Sequence, residues 1–256
     1  MPQIAAAGHA LQYQWIAGAA SRPTLVFLHE GLGSIRQWRD FPERVAHATG
    51  CRALIYDRYG YGSSDVLREP AVGVEFMHDG ALNELPELLE NLAIENPILV
   101  GHSDGASIAL IHAGTYQVRG VVSMAAHVFV EDSGLTSIEN LNRTFETSGL
   151  PERLGKYHRN ARKTFHLWAD AWLDAAFRDW NIEEYLPRIK CPVLAIQGGG
   201  DEYGSMAQLE AIKCQVGGPC ELLQLPDCGH SPHKDQPEKV LHSVSGFIKK
   251  IIGTNP

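Results

Sequence analysis

The chain has 256 residues, of which 44% are hydrophobic and 20% are charged, and its formal net charge at pH 7 is -8. This composition excludes a disordered chain and suffices for one sizeable core, in a single α/β domain or in a domain with an inserted lid. The acidic balance disfavours binding to nucleic acid or to an anionic membrane, because both partners require a basic face.

Neither a membrane span nor a secretory leader is expected. No apolar run reaches the roughly 18 residues that a spanning helix needs. The first residues, MPQIAAAGHALQYQW, lack a basic segment followed by a long apolar one. The five cysteines are odd in number and follow no zinc-binding spacing. We therefore expect reduced thiols and a cytoplasmic protein.

Short apolar runs alternate with helical patterns along the chain. The first stretch, IAAAGHALQYQWIAG, predicts a β-hairpin with Gly8 in its turn. Six later runs are continuously apolar, which is typical of parallel strands covered on both faces. These runs span residues 23–29, 52–57, 97–103, 120–126, 192–198 and 221–227. The alternation predicts an α/β fold with a mostly parallel sheet.

Residues 76–94 carry leucines three and four positions apart, which predicts an amphipathic helix. Pro86 lies inside this pattern. Because proline lacks a backbone N–H and clashes with the preceding turn, we expect a kink or a late helix start there.

Residues 129–188 interrupt the alternation, because they contain no convincing strand pattern. Phe165, Trp168 and Trp172 recur there at helical spacing. The sequence therefore predicts a core of residues 1–128 and 189–256 with a helical insertion between them. The aromatic stripe, together with Trp180, either lines an acyl pocket or forms the packing face of the insertion.

The stretch LVGHSDGASIAL contains a Gly-x-Ser-x-Gly motif between a predicted strand and a predicted helix. In a nucleophile elbow, the glycines permit a tight strand-to-helix turn, and the serine hydroxyl is lifted out of the sheet by a strained backbone. Ser103 is therefore the candidate nucleophile. Because a serine hydroxyl is a weak nucleophile at neutral pH, it needs a histidine base and an orienting carboxylate.

The two partners of a catalytic triad are expected after later strands, in the order acid and then histidine. Asp201 follows the run PVLAIQG, and His230 follows the run ELLQLPD. Both positions lie at the carboxyl edge of the predicted sheet, where ligands bind in open α/β folds. Glu202 and His233 compete for these roles, but Asp201 is closer to its strand end and His233 begins a helix-like segment.

At this point the chain resembles the α/β-hydrolase superfamily, in its branch of lidded serine esterases, lactonases and carbon–carbon hydrolases. The segments that carry the resemblance are VFLHEGLGSIRQW, DRYGYGSSD, GHSDG, GGGDEYG and PDCGHSPH. The resemblance implies a mostly parallel eight-stranded sheet with helices on both faces. It also implies a helical cap domain after the sixth strand, the position that residues 129–188 occupy.

The resemblance further implies an oxyanion hole made by two backbone N–H groups. One belongs to Asp104, which follows the nucleophile, and the other is expected from Gly31. Such fixed dipoles stabilise the negative charge of a tetrahedral intermediate. The family usually has glycine after the strand-end histidine, whereas this chain has Glu30 after His29. Glu30 or Leu32 therefore remains an alternative to Gly31, and His29 is expected to hold the loop rather than to react.

Glu30 and Asp104 would both flank the oxyanion loop, and two carboxylates there are unfavourable unless they are neutralised. They either pair with nearby arginines such as Arg58 or Arg36, or point to solvent. Alternatively, they form a pocket for a cationic group, such as the ammonium of an amino-acid ester.

The sequence predicts a serine hydrolase of small carboxylic esters or lactones, because serine at position 103 argues against relatives with an aspartate nucleophile. The expected partners are a small acyl substrate and water, with no metal or organic cofactor. A carbon–carbon hydrolase of ring-cleavage diketo acids would need a carboxylate-binding arginine, and a small-molecule receptor with vestigial activity would keep only the fold. The candidate substrate-binding residues are Glu30, Leu32, Trp168 and Trp172, and the candidate carboxylate anchors are Arg36, Arg153 and Arg162.

Overall fold

A computed structural model describes residues 1–67 and 73–253. Within these residues, eight strands form one sheet in the order β1-β2-β4-β3-β5-β6-β7-β8. The strands are β1 (Gln3–Ala6), β2 (His9–Ile16), β3 (Leu25–Leu28), β4 (Ala53–Tyr56), β5 (Ile98–His102), β6 (Gly120–Met124), β7 (Val193–Gly198) and β8 (Cys220–Leu225). β2 pairs antiparallel with β1 and β4, and all other neighbours are parallel.

The α-helices lie between and after these strands. They are α1 (Phe41–Thr49), α2 (Phe76–Asp79), α3 (Leu85–Asn91), α4 (Asp104–Ala113), α5 (Asp132–Thr144), α6 (Leu150–Leu154), α7 (Ala161–Leu173), α8 (Met206–Gln215), α9 (Pro232–Asp235) and α10 (Pro237–Gly253). The predicted α/β fold with a mostly parallel eight-stranded sheet is thereby confirmed. The predicted hairpin is present as well, with Gly8 at a φ of +77° in the turn between β1 and β2.

Helices cover both faces of the sheet, which explains why the central strands read as continuous apolar runs. Successive residues of β3 alternate between two hydrophobic clusters: Val26 and Leu28 pack with α3, α4 and α7, whereas Leu25 and Phe27 pack with α1 and α10. All four side chains are fully buried.

β8 is the exception to the prediction of strands covered on both faces. It lies at the edge of the sheet, and only Leu225 of its six residues is buried; Leu222 is 37% exposed. The apolar run at 221–227 was therefore a correct signal for a strand but a wrong signal for complete burial.

The predicted helix at residues 76–94 is divided. α2 is followed by a π-helical turn at Gly80–Glu84, and α3 begins at Leu85 with Pro86 in its first turn. Proline is tolerated at this position because the N–H groups of the first turn have no partner within their own helix. The late helix start expected from Pro86 is therefore present.

Residues 129–188 contain α5, α6, α7 and three 3-10 turns at Phe145–Thr147, Ala175–Asp179 and Glu183–Arg188. Phe165, on α7, stacks on Phe145 with ring centroids 3.7 Å apart. The division of the chain into a hydrolase core and a cap stays a prediction. In the described parts of the chain, no helix combines the length and the apolar character required to cross a membrane.

Candidate active site

Ser103 lies in the turn that joins β5 to α4, with φ 53° and ψ -124°. A positive φ is strained for any residue other than glycine, and it persists only where the surrounding structure enforces it. Here the enforcement comes from tight packing of α4 against the sheet. A Cβ atom on Gly105 would lie 2.1 Å from the Leu28 carbonyl oxygen, and one on Gly101 would lie 2.4 Å from the Gly105 carbonyl oxygen.

The structure brings Ser103, His230 and Asp201 into one chain of hydrogen bonds. The Ser103 hydroxyl lies 2.9 Å from Nε2 of His230, and Nδ1 of His230 lies 2.9 Å from both carboxylate oxygens of Asp201. Because a carboxylate only accepts, Nδ1 donates to Asp201 and leaves Nε2 as the acceptor for the serine proton. This tautomer is the one that general-base activation of a serine requires.

Asp201 is held as an anion at the end of β7. Burial alone would raise the pKa of this carboxyl, but the hydrogen bond and charge of His230 and the Tyr203 backbone N–H lower it below its usual value. The Gln197 side chain also donates to Oδ2, at 2.7 Å. The carboxylate is therefore fixed on both sides and orients the imidazole.

The competing neighbours lie elsewhere. Glu202 is exposed, and its carboxylate has no hydrogen bond to His230 among the described residues. His233 is 4% exposed and packs against Trp38 and Phe41, with centroid distances of 4.9 and 5.4 Å. The geometry therefore favours Asp201 over Glu202 and His230 over His233.

The loop after β3 is held by His29 and Arg58. Nδ1 of His29 donates to the Glu30 carbonyl at 2.7 Å, and Nε2 accepts from the Arg58 N–H at 3.1 Å. The Arg58 guanidinium also donates to the Glu30 carbonyl, at 2.9 Å. Burial, followed by the nearby Arg58 charge, lowers the pKa of His29 well below its usual value. His29 thus has a neutral, loop-holding position, as the sequence predicted.

Gly31 and Asp104, the predicted oxyanion-hole residues, lie next to each other. A Cβ atom on Gly31 would come within 2.9 Å of the Asp104 carboxylate and 2.2 Å of Nε1 of Trp168, so residue 31 has no room for a side chain. Asp104 is the first residue of α4, where backbone N–H groups have no acceptor within the helix. These observations fit the predicted roles, which stay predictions.

The two carboxylates beside this loop do not pair with the arginines suggested from the sequence. Oε1 of Glu30 pairs with Nζ of Lys234 at 2.9 Å, and Oδ2 of Asp104 accepts from Nε1 of Trp168 at 3.1 Å. Arg36 instead donates to the Lys156 carbonyl. Arg36 therefore pairs with neither carboxylate. Arg58 forms no salt bridge with them, since its guanidinium donates to the Glu30 carbonyl, but its charge lowers the pKa of Asp104 and opposes the effect of burial.

A cavity of about 260 Å³ opens over Ser103. All four predicted substrate-binding residues line it: Glu30, Leu32, Trp168 and Trp172. Phe165 and Trp180 do not line it and belong to the hydrophobic core. Trp168 and Trp172 therefore lie at the cavity, whereas Phe165 and Trp180 serve only in packing.

None of the predicted carboxylate anchors, Arg36, Arg153 or Arg162, reaches the cavity wall. Other lining residues escaped the sequence interpretation. Ile138 and Leu141 come from α5, where a spacing of three is too common to mark a site. His127 lies three residues after β6, as Asp201 does after β7, and the strand-end rule that located Asp201 could have found it. In the described ranges, no group of three or more His, Cys, Asp or Glu side chains is arranged to hold a metal ion.

Residues 25–243 match the model of the alpha/beta hydrolase family. The chain is 26% identical to 3-oxoadipate enol-lactonase 1 of Acinetobacter baylyi, over 92% of each chain. It is 28% identical to a proline iminopeptidase of Lactobacillus delbrueckii subsp. lactis, over 73% of this chain and 63% of the relative.

Among solved structures, a carboxylesterase study of Nitrososphaera gargenis provides a chain that superposes with a TM-score of 0.80 at 19% identity, over 98% of both chains. At this identity the superposition supports the fold alone. The family match covers most of the chain and includes the segments that hold Ser103, Asp201 and His230. This chain therefore belongs to the alpha/beta hydrolase family, and hydrolysis is the reaction class that this membership supports.

Proposed function

We propose that the protein is a serine hydrolase that cleaves small carboxylic esters or lactones through an acyl-enzyme intermediate. The observation that carries the proposal is the hydrogen-bond chain from Ser103 through His230 to Asp201, placed at the floor of a cavity. The strained backbone of Ser103 adds support, because strain of this kind concentrates at functional sites.

In the proposed mechanism, Oγ of Ser103 attacks the ester carbonyl while Nε2 of His230 takes the hydroxyl proton. Asp201 stabilises the resulting imidazolium without taking up the proton. The backbone N–H groups of Asp104 and Gly31 stabilise the oxyanion. His230 then protonates the departing alcohol, or the ring oxygen of a lactone, and Ser103 is left acylated.

In the second half of the reaction, water attacks the acyl-enzyme and gives a proton to His230. The second tetrahedral intermediate collapses to the carboxylic acid, and His230 returns the proton to Ser103. No other reactant is needed to balance the two steps.

The cavity wall favours ester or lactone cleavage over cleavage of diketo acids. A diketo-acid substrate carries a carboxylate, which calls for a cationic anchor. In the part of the chain that the structure describes, no lysine or arginine lines this cavity, whereas Glu30, Asp104 and Glu202 do. An anionic substrate would therefore be repelled.

The test is steady-state hydrolysis of 4-nitrophenyl esters from acetate to octanoate, with a lactone included. We expect sustained turnover by the parent protein and a loss of at least about 10⁴-fold in kcat for Ser103→Ala. Ser133→Ala, an exposed serine on α5, is the matched control and should leave kcat unchanged.

Labelling with a fluorophosphonate, located by mass spectrometry, should modify Ser103 in the parent protein. A single burst without turnover would contradict the hydrolase and favour a receptor with vestigial activity. Equal rates for the parent and Ser103→Ala would rule out Ser103 as the nucleophile.

A further inference from the structure

The cavity over Ser103 has an acidic wall whose three carboxylates differ in their surroundings. Glu30 is neutralised, because Nζ of Lys234 lies 2.9 Å from its Oε1. Glu202 is exposed and therefore solvated by water. Asp104 differs from both: it is 1% exposed, and within the described ranges no lysine or arginine forms a salt bridge with its carboxylate, although the charge of Arg58 acts on it.

Arg58 is the cation beside Asp104, and its guanidinium contacts other groups. The Arg58 guanidinium donates to the Glu30 carbonyl at 2.9 Å and lies over the Tyr61 ring, 4.5 Å from its centroid. The hydrogen bond that Asp104 accepts comes from the indole N–H of Trp168. Burial raises the pKa of Asp104 above its usual value, and the charge of Arg58 and hydrogen bonds from Trp168 and Trp172 oppose this effect.

A buried carboxylate that forms no salt bridge is unfavourable, and folded proteins normally supply a close ionic partner. The cavity can supply one from the substrate side, because Asp104 lines it together with Ser103, Trp168 and Trp172. Trp rings favour a nearby cation through their negative π faces. Trp172 is 3% exposed, and its indole N–H helps that of Trp168 to stabilise the Asp104 carboxylate.

We infer that the Asp104 carboxylate is the subsite for a cationic group of the substrate, so that the enzyme prefers esters that carry an ammonium. This inference rests on the proposed serine hydrolase. It refines the expectation from the sequence, because Lys234 neutralises Glu30 and leaves Asp104 as the member of the expected pair without a salt bridge.

The position of Asp104 also couples this subsite to the reaction. Its backbone N–H is a proposed oxyanion donor, so its own negative charge opposes the oxyanion when the substrate is neutral. A bound ammonium cancels that charge as the oxyanion forms. Charge preference should therefore be expressed in kcat as well as in KM.

The test compares esters that differ only in charge. One pair is L-valine methyl ester and methyl 2,3-dimethylbutanoate, measured near pH 6.5 (where the α-ammonium stays largely protonated). The other pair is acetylcholine and 3,3-dimethylbutyl acetate. We expect the parent protein to prefer the cationic member of at least one pair. Asp104→Asn should lower kcat/KM for that ester by about 30-fold more than for its neutral counterpart.

Glu139→Gln is the matched control, because it removes one charge from the exposed side of α5, next to a cavity-lining residue. It should leave the charge preference unchanged. Inhibition by butylammonium gives a second reading, since Asp104→Asn should weaken it by at least about tenfold. Titration with a fluorophosphonate counts the folded, active fraction of each variant.

An equal loss with charged and neutral esters, or no loss with either, would overturn the subsite and leave Asp104 with a structural role. A parent protein that turns over neutral esters but has no charge preference overturns this inference alone. Absence of both turnover and Ser103 labelling would instead refute the proposed function.

Discussion

Asp201 and Glu202 are adjacent carboxylates that the fold treats differently. The Asp201 carboxylate is 1% exposed and accepts from His230, Gln197 and the Tyr203 N–H. Glu202 points to the exposed rim of the cavity. The difference arises because Asp201 follows the buried end of β7 more closely, so its side chain turns inward to the histidine.

Substituting each of these carboxylates with its amide distinguishes their roles. Asp201→Asn should lower kcat for 4-nitrophenyl acetate by about 10⁴-fold, because an amide can hold His230 in the wrong tautomer. Glu202→Gln should change kcat by less than about tenfold. Steady-state kinetics of the two variants, with thermal melting to verify folding, provide the measurement. The reverse order of effects would transfer the acid role to Glu202.

At the scale of elements, the loop after β3 and the short helix α9 are joined by one ion pair, between Glu30 and Lys234. The two residues are 204 positions apart in the chain, and their charged atoms lie 2.9 Å apart. Nε2 of His102 donates to the His230 carbonyl at 2.7 Å, and its other nitrogen faces Glu30. Glu30 therefore links the loop after β3 to the segment that carries His230.

Removing the lysine tests this link. Lys234→Met should lower kcat for neutral esters by about tenfold, because it loosens the oxyanion loop and leaves a second uncompensated carboxylate beside the oxyanion. Lys239→Met, an exposed lysine at the start of α10, is the control and should have no effect.

The double variant Glu30→Gln/Lys234→Met separates the ion pair from other effects of the lysine. If the pair is responsible, the double variant should be no slower than the slower single variant. Independent, multiplicative losses would show that the two residues act separately.

The strands and the elbow could be predicted because local patterns determine them. Buried parallel strands are continuous apolar runs, and the glycines around Ser103 meet a steric requirement within the same short segment. The Glu30–Lys234 pair could not be predicted, because no pattern in the sequence specifies which of several lysines approaches a given carboxylate across 204 positions. The π-helical turn at Gly80–Glu84 was likewise missed, since an irregular turn keeps the overall leucine spacing.

At the scale of the whole molecule, the cavity combines residues from both parts of the predicted architecture. Ser103 and His230 follow strands of the sheet, whereas Leu141 and Trp168 come from α5 and α7. The sequence predicted the chemical groups at the sheet edge because topology alone brings strand ends together. The composition of the wall depends on how the helices pack on that edge, and local spacing does not encode this packing.

The molecule also contains a buried acid that the proposed reaction does not use. Glu84 ends the π-helical turn, and it is 6% exposed. Its Oε2 accepts from the Tyr59 N–H at 2.9 Å, and its Oε1 has no hydrogen-bond partner among the described residues. Burial raises the pKa of Glu84 from about 4.5 to about 7. The folded protein therefore holds this carboxyl in its protonated form more strongly than the unfolded chain does.

This pKa shift makes stability depend on pH. Below about pH 4.5 the group is protonated in both states, and as pH rises through about 7 the folded state must bury a charge that the unfolded chain ionises freely. Glu84→Gln should therefore increase the free energy of unfolding by about 2–3 kcal/mol at pH 8.5, with a much smaller gain at pH 5.5.

Urea unfolding of the parent and of Glu84→Gln at the two pH values measures the effect. Glu90→Gln, at an exposed glutamate on α3, is the matched control. Its free energy of unfolding should change between the two pH values by the same amount as that of the parent. A gain of equal size at both pH values would mean that the glutamine packs better and that Glu84 does not titrate on unfolding. A loss at pH 8.5 would mean that the folded protein stabilises the Glu84 carboxylate, and the sign of the pKa shift would then be reversed.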